Sequence, residues 1–458
     1  MNYSVYLNGK LLTVHSARVS KLPLNRVWPG FQRPLEQTEI GYFVTFDMNA
    51  PVHLRIEISD EIERVALRPR EFCIKHRVGK RCIEIELTEP RLFTVEVNGH
   101  HEALCVFANE PFTYEMTDNT LYFGPGEHEV GMIYPKDGQT IILDEGAVVY
   151  GGVYAYKVKD VTIRGRGILD SSKLLRGEEL LEQNDPLARE MSDLGLTERD
   201  VRYYCAFNAY GCENLTVDGI ILRDPPFWTF TLRNGCRNVK LNNIKLIGLW
   251  RYNADGFDLC NCYDTTLTNS FVHSFDDCVV VRAPYLDGEE GGCKNVTVAN
   301  NVLWCDWGKN LEIWAGNIDA AITDVVFCDN YLIHSCHIGV SIDTWMGSEH
   351  ITVDGVTYEN IYIDTSSDPL YPVFESTEAP PVIAEKIPLQ AVRIQVGRLG
   401  KNMGNQKILP IIDTSPFTII YKNIHLRNVR CTGEFKAPMT VNKSKLTLAE
   451  NITFEDCE

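Results

Sequence analysis

The sequence has no apolar run of the ~18 residues that a membrane-spanning helix needs, and no long run of Lys or Arg. Its 15 cysteines never fall into the paired CxxC…CxxC spacing of a structural zinc site. Positive charge is in short supply: 44 Lys plus Arg stand against 62 Asp plus Glu, a formal charge of −18. A surface this acidic repels phosphate backbones and anionic membranes, which excludes nucleic acid and membrane as ready partners. The opening stretch MNYSVYLNGKLLTVHSARV lacks the uninterrupted apolar segment and small-residue cleavage site of a secretory signal. The expectation is a soluble cytoplasmic protein, or a secreted one if a leader has been removed. The cysteines are expected to be reduced, buried thiols that pack as small apolar side chains. Nothing in the sequence points to a cofactor or a metal, and the oligomeric state is not legible.

What the sequence does have is a repeat. From about residue 155 onward, short β-rich phrases recur with Asn, Asp or Gly between them, among them KDVTIRGRGILD (159–170), ENLTVDGIILRD (213–224), RNVKLNNIKLI (237–247), KNVTVANNVLW (294–304) and EHITVDGVTYENIYI (349–363). Anchored on Leu215, Val239, Thr266, Val296, Val325 and Ile351, the steps are 24, 27, 30, 29 and 26 residues. Periods of this size mean a solenoid, a propeller or an array. Helical repeats would need apolar residues at spacings of three and four, and a leucine-rich repeat its own ladder; neither is present. Each unit instead offers two or three short strands rich in Val, Ile and Thr, which is the coil of a parallel β-helix. Stacked coils place equivalent residues ~4.8 Å apart, so side chains repeat in columns up each face.

Residues 1–112 read differently, as alternating strands set apart by turns without the coil period. They predict an antiparallel β-sandwich, followed by a right-handed parallel β-helix over 113–458, an all-β chain throughout. Two excursions leave the repeat, about 171–204 and 365–412, and loops of that length form walls or lids as often as ornaments.

The chemistry concentrates in NADGFD (253–258) and FDDC (275–278). If Phe257/Leu259 and Val279/Val281 occupy equivalent inward positions, Asp255 and Asp277 differ by one coil of 22 residues and stack at the strand spacing. Carboxylates that close raise one another's pKa, a cost that function explains better than turn-forming preference does. Two or three Asp in a cleft suit hydrolysis of a glycosidic bond, in which one protonates the leaving oxygen and another activates water. Six of the seven tryptophans (228, 250, 304, 307, 314 and 345) lie in the coils around these acids, and several are expected outside the compact core, as flat faces for sugar rings.

The run from Asp224 to Arg282 resembles the catalytic segment of glycoside hydrolase family 28, the polygalacturonase family, whose motifs are NTD, DD, GHG and RIK. The first stands here as Asn253, Ala254, Asp255 and the second as Asp276, Asp277. The resemblance implies a right-handed β-helix and an inverting hydrolase, with Asp276 as general acid and Asp255 and Asp277 holding the water. Lys309 takes the His position of the third motif, and Ser341 and Asp343 stand where the family has the Arg and Lys that grip a galacturonate carboxylate. An Asp there repels a uronate, so a neutral sugar is favoured unless Arg282 or Arg393 supplies a cation. The chain is also similar to family 49, the dextranases and isopullulanases, which carry a sandwich before the β-helix and cleave neutral α-glucans. Lys309, Glu312, Trp250, Trp314, Trp345, Asp343, Arg282 and His337 complete the expected substrate-binding set for an oligo- or polysaccharide. Three other readings stay open: a pectin-oligosaccharide hydrolase, a uronate lyase with a Ca²⁺ cage and a basic residue, and a non-catalytic glycan-binding solenoid.

Overall fold

Short alternating apolar phrases bounded by Asn, Asp and Gly favour strands and tight turns over helices, and in the computed structural model the named elements among the described residues are strands, with a 3₁₀ turn at Arg70–Phe72. It describes residues 1–21, 35, 38–174, 205–284, 291–316, 319–335, 338–344, 350–364, 390–395, 399–402, 407–410, 418–432, 439–442 and 447–458. Nearly all of the expected excursion over 171–204 and much of that over 365–412 lie outside these residues.

The N-terminal part is two five-stranded sheets. One holds Tyr3–Leu7, Lys10–Leu11, Val52–Ile58, His76–Val78 and Cys82–Leu87; the other holds His15–Ser20, Thr38–Asp47, Val65–Arg68, Leu92–Val97 and Leu104–Asn109. Val5, Leu54, Ile56, Ile83 and Ile85 of the first share a core with Val44, Phe93, Val95 and Val106 of the second, so the pair is a sandwich. One pairing departs from the antiparallel expectation: Leu104–Asn109 runs parallel to Thr38–Asp47. No hairpin joins these two strands, because the chain visits the other sheet between them, and only a hairpin would impose the antiparallel sense.

From Thr120–Phe123 to Thr447–Glu455 the chain forms a parallel β-helix, a single ladder of 26 strands. Its interior is built of columns. Ile163, Val217, Leu241, Leu267, Val298, Phe327, Tyr358 and Leu426 are successive register partners, and all are fully buried. The true repeat differs from the sequence anchors at two points. Val239 pairs with Thr265 rather than Thr266, and Val325 with Val356 rather than Ile351. A slip of one residue exchanges the inward and outward faces of a strand, so Thr265 is buried inside while Thr266 is exposed.

Asparagines hold the corners. Asn214, Asn238, Asp264 and Asn295 sit at φ of 57°, 51°, 51° and 56°, the left-handed region that Asn and Asp tolerate best. Their side chains form ladders up the stack: Asn238 Nδ2 donates to Asn214 Oδ1 at 2.6 Å, and Asn295 Nδ2 to Asp264 Oδ1 at 2.7 Å. Asn238→Ala removes the rung and leaves a β-carbon in strained backbone. The expected loss of stability is about 1–3 kcal/mol, read by denaturant melts.

The outer faces of the β-helix differ. On one, Ile168, Ile221, Ile247, Phe271, Val302 and Ile333 pack against Ala17, Phe43 and Phe107 of the sandwich. Another carries the acids of the site.

Candidate active site

The site follows from strand alternation. Phe257, Leu259, Val279, Val281, Leu311 and Ile313 point into the core, so the residues between them point out. Register pairs Asp258 with Val280 and Val280 with Glu312, then Cys260 with Arg282 and Arg282 with Trp314. Just ahead of these strands, the amides of Gly256 and Phe257 donate to the carbonyls of Asp277 and Cys278 at 2.8 Å each, which sets Asp255 one coil from Asp277. Gly256 is required here, since a β-carbon would lie 2.3 Å from the Cys278 carbonyl oxygen.

Four carboxylates thus gather around two cations. The Arg282 Nη2 lies 3.1 Å from Asp258, 3.4 Å from Asp255 and 3.7 Å from Asp277. Its guanidinium lies over the rings of Trp228 and Trp314, 4.5 and 5.2 Å from their centroids. On the other side of Asp277, Lys309 Nζ lies 3.5 Å from Asp277 and 3.0 Å from Glu312, and the Lys309 amide donates to Asp277 Oδ1 at 2.8 Å.

This environment separates two neighbouring aspartates. Burial alone would push Asp277 up, but Lys309 and Arg282 outweigh it and bring the carboxyl down to about 2. Burial and the adjacent Asp277 push Asp276 up to about 7, against the pull of Lys309 and Arg282. Burial does the same to Asp258, also to about 7, with Arg282 opposing. Asp255 is raised by burial and by Asp258, Asp276 and Asp277. Below about pH 7, Asp277 is therefore ionised beside an Asp276 that keeps its proton. A pair of titratable groups pushed apart in this way is the signature of an acid and base assignment.

The remaining expected residues divide. Arg282, Lys309 and Trp314 lie at the acids, and Trp314 is half-buried. Glu312 has no exposed surface and holds Lys309, so substrate contact is not what its place offers. Asp343 pairs in register with Trp314 and accepts from Arg393 Nη2 at 2.7 Å. Trp250 is buried: its Nε1 donates to Asp224 at 2.9 Å, and Arg18 of the sandwich lies 6.0 Å from its ring. That corrects its expected role as a sugar platform; Trp304 also packs against the sandwich. Trp345 and His337 lie outside the described residues. Residues given no role from sequence are Asp258, Trp228, Asn253, whose Nδ2 donates to Asp276 at 3.4 Å, and Gly308. The alignment of Lys309 with the His of the third motif was the available signal for Gly308. Among the described residues, no group of three or more His, Cys, Asp or Glu is spaced to hold a metal ion, and no cysteine is in a disulfide.

Fold and site together define a parallel β-helix protein with an N-terminal sandwich and a carboxylate cluster on one outward face. Residues 202–393 match the profile of Glycosyl hydrolases family 28, the family that the Asn253–Asp255 and Asp276–Asp277 motifs resemble. A probable exopolygalacturonase B of Neosartorya fischeri is 25% identical over 230 residues, 46% of this chain and 45% of that one. A polygalacturonase of Fusarium fujikuroi is 29% identical over 164 residues, 35% of this chain and 37% of that one. The chain thus spans under half the length of these curated relatives. Dex49A from Penicillium minioluteum superposes with a TM-score of 0.57 at 14% identity, covering 100% of this chain and 88% of that one, a likeness of fold.

Proposed function

We propose that this protein is an inverting glycoside hydrolase acting on α-linked oligo- or polysaccharides of neutral sugars. The observation that carries the reading is the split between Asp276 and Asp277. Asp276, protonated below about pH 7, donates its proton to the glycosidic oxygen as the bond to the anomeric carbon breaks. Asp277, with Asp255 one coil away, holds a water on the opposite face and takes the proton that the water loses as its oxygen bonds to that carbon. Electrostatics favours Asp277 over Asp255 as the base, since Asp255 is pushed toward its neutral form. The family 28 match and the names of the curated relatives support the same chemistry.

The neutral substrate rests on charge. Arg282 is shared by three aspartates, Lys309 by Asp277 and Glu312, Arg393 is held by Asp343, and Arg251 lies 3.2 Å from Asp224. A uronate would have to displace an acid from one of these cations, leaving a buried carboxylate unpaired. A galacturonan substrate is the second reading, favoured by the relatives' names. Reducing-end release on α-glucan, galacturonan and rhamnose-containing oligosaccharides tests the choice. Higher kcat/KM on a neutral glycan is expected, and faster turnover of galacturonan would overturn the neutral reading while leaving hydrolysis standing.

The pH profile carries its own expectation. Loss of the Asp276 proton removes the acid, so kcat/KM is expected to fall as pH rises through about 7. The apparent value belongs to the coupled carboxylates as a group. A profile still rising at pH 8 would contradict the assignment.

A further inference from the structure

The sandwich reaches the catalytic turn through an unbroken series of buried polar and ring contacts. Glu96, on the sandwich strand Leu92–Val97, accepts from His334 Nε2 at 2.7 Å and is itself held by Arg68 Nε at 3.1 Å and Thr94 Oγ1 at 3.0 Å. Burial alone would push Glu96 up, but His334 and Arg68 bring it down to about 2. Arg68 also pairs with Asp364 of the β-helix, so the sandwich grips two coils at one point.

His334, Trp304 and His273 lie on three successive coils as register partners. The rings of Trp304 and His273 stack with centroids 4.1 Å apart, and the His334 ring lies tilted against Trp304 with centroids 4.2 Å apart. Both members of the stack end on one carboxylate: Trp304 Nε1 donates to Asp306 Oδ1 at 2.8 Å, and His273 Nε2 meets Asp306 Oδ2 at 3.1 Å. The Asp306 amide then donates to the Ser274 carbonyl at 3.0 Å. Ser274 Oγ and Cys305 Sγ donate to the Asp276 carbonyl at 2.5 and 3.2 Å. Beside this line, Asn310, which follows Lys309, donates to the His334 carbonyl at 3.0 Å.

We infer that the N-terminal sandwich is a positioning element of the active site: Glu96 fixes His334, whose ring lies against the Trp304–His273 stack, the stack fixes Asp306, and Asp306 fixes the turn that carries Asp276 and Asp277. None of these residues touches the site of reaction; each acts through the next. The line ends on the backbone carbonyls of Ser274 and Asp276, and so constrains the backbone where Arg282 and Lys309 constrain the side chains. What the turn does chemically rests on the function proposed above; that the sandwich holds it does not.

The test uses the full chain with Glu96→Gln, Asp306→Asn and Trp304→Phe, beside Ile83→Val, which lies in the sandwich core off this line and serves as a control for general loosening. Amide hydrogen exchange of residues 274–278 reads the coupling without reference to activity. Exchange about tenfold faster in the three variants, and unchanged in Ile83→Val, is expected. With a glycan that the wild type hydrolyses, kcat should fall about tenfold or more while KM stays within about twofold, because a displaced acid costs turnover rather than binding. Unchanged exchange at 274–278 in folded Glu96→Gln, Asp306→Asn or Trp304→Phe protein would overturn the inference, whatever the activity. Faster exchange with a wild type inactive on every glycan would keep the coupling and reject the hydrolase.

Discussion

Asp276→Asn is expected to lose about 10³-fold or more in kcat while gaining stability above neutral pH. The loss follows from removing the proton that Asp276 is assigned to donate, which it holds below about pH 7; general acids contribute about 10²–10⁴-fold. The gain in stability has a separate origin. In the folded protein the Asp276 carboxyl titrates at about 7, whereas an unfolded Asp titrates near ~3.9. Between these values the folded state holds a proton that the unfolded state has released. Its stabilising share is therefore complete below about pH 4 and is lost as pH rises through about 7. Asn escapes that loss, since it keeps an oxygen to accept the Asp277 amide, which Asp276 Oδ1 does at 3.0 Å, and never ionises. The variant should match the wild type near pH 4 and exceed it by up to a few kcal/mol at pH 8, read by melts at both values. Equal stabilities at pH 8 would mean that burial does not raise this carboxyl.

Gly308→Ala is the second large effect. A β-carbon at 308 would lie 2.5 Å from Asp276 Oδ1, from the Asp277 amide nitrogen and from Asp277 Oδ1. All three positions are well inside contact distance, and two of them are the carboxylates assigned to acid and base. The methyl group has nowhere to go without prising the pair apart. A shift of about 1 Å costs on the order of 10²-fold in turnover, and overpacking a tight site costs about 1–3 kcal/mol of stability. Steady-state kinetics beside a melt separates the two: kcat should fall far more than the loss of folded protein explains.

Much of this was legible in the residues. The alternation of Phe257/Leu259 and Val279/Val281 was enough to place Asp255 and Asp277 a coil apart, because a period of two fixes which side chains share a face. The repeat length varies, however, and alternation alone does not say where a corner falls, so it points to Thr266 and Ile351 where the register uses Thr265 and Val356. Glu312 was counted as a substrate contact because an outward position reads as exposed. In the structure Lys309 and the neighbouring coils close over it. Trp250 reads as a platform for the same reason, and nothing in its local sequence says that Arg18 of the sandwich reaches its ring. The pairing of Asp343 with Arg393 spans 50 residues, across an excursion whose length hid the register of Ser341 with Arg393. Seen alone, Asp343 read as a bare negative charge.

The assignment of Asp276 as acid and Asp277 as base requires a single displacement by water. Proton NMR of the anomeric signals during the first turnovers of a susceptible α-linked oligosaccharide tests this directly. The account requires the β-anomer to appear first and then mutarotate. Initial release of the α-anomer, or of an unsaturated product absorbing in the ultraviolet, would contradict it.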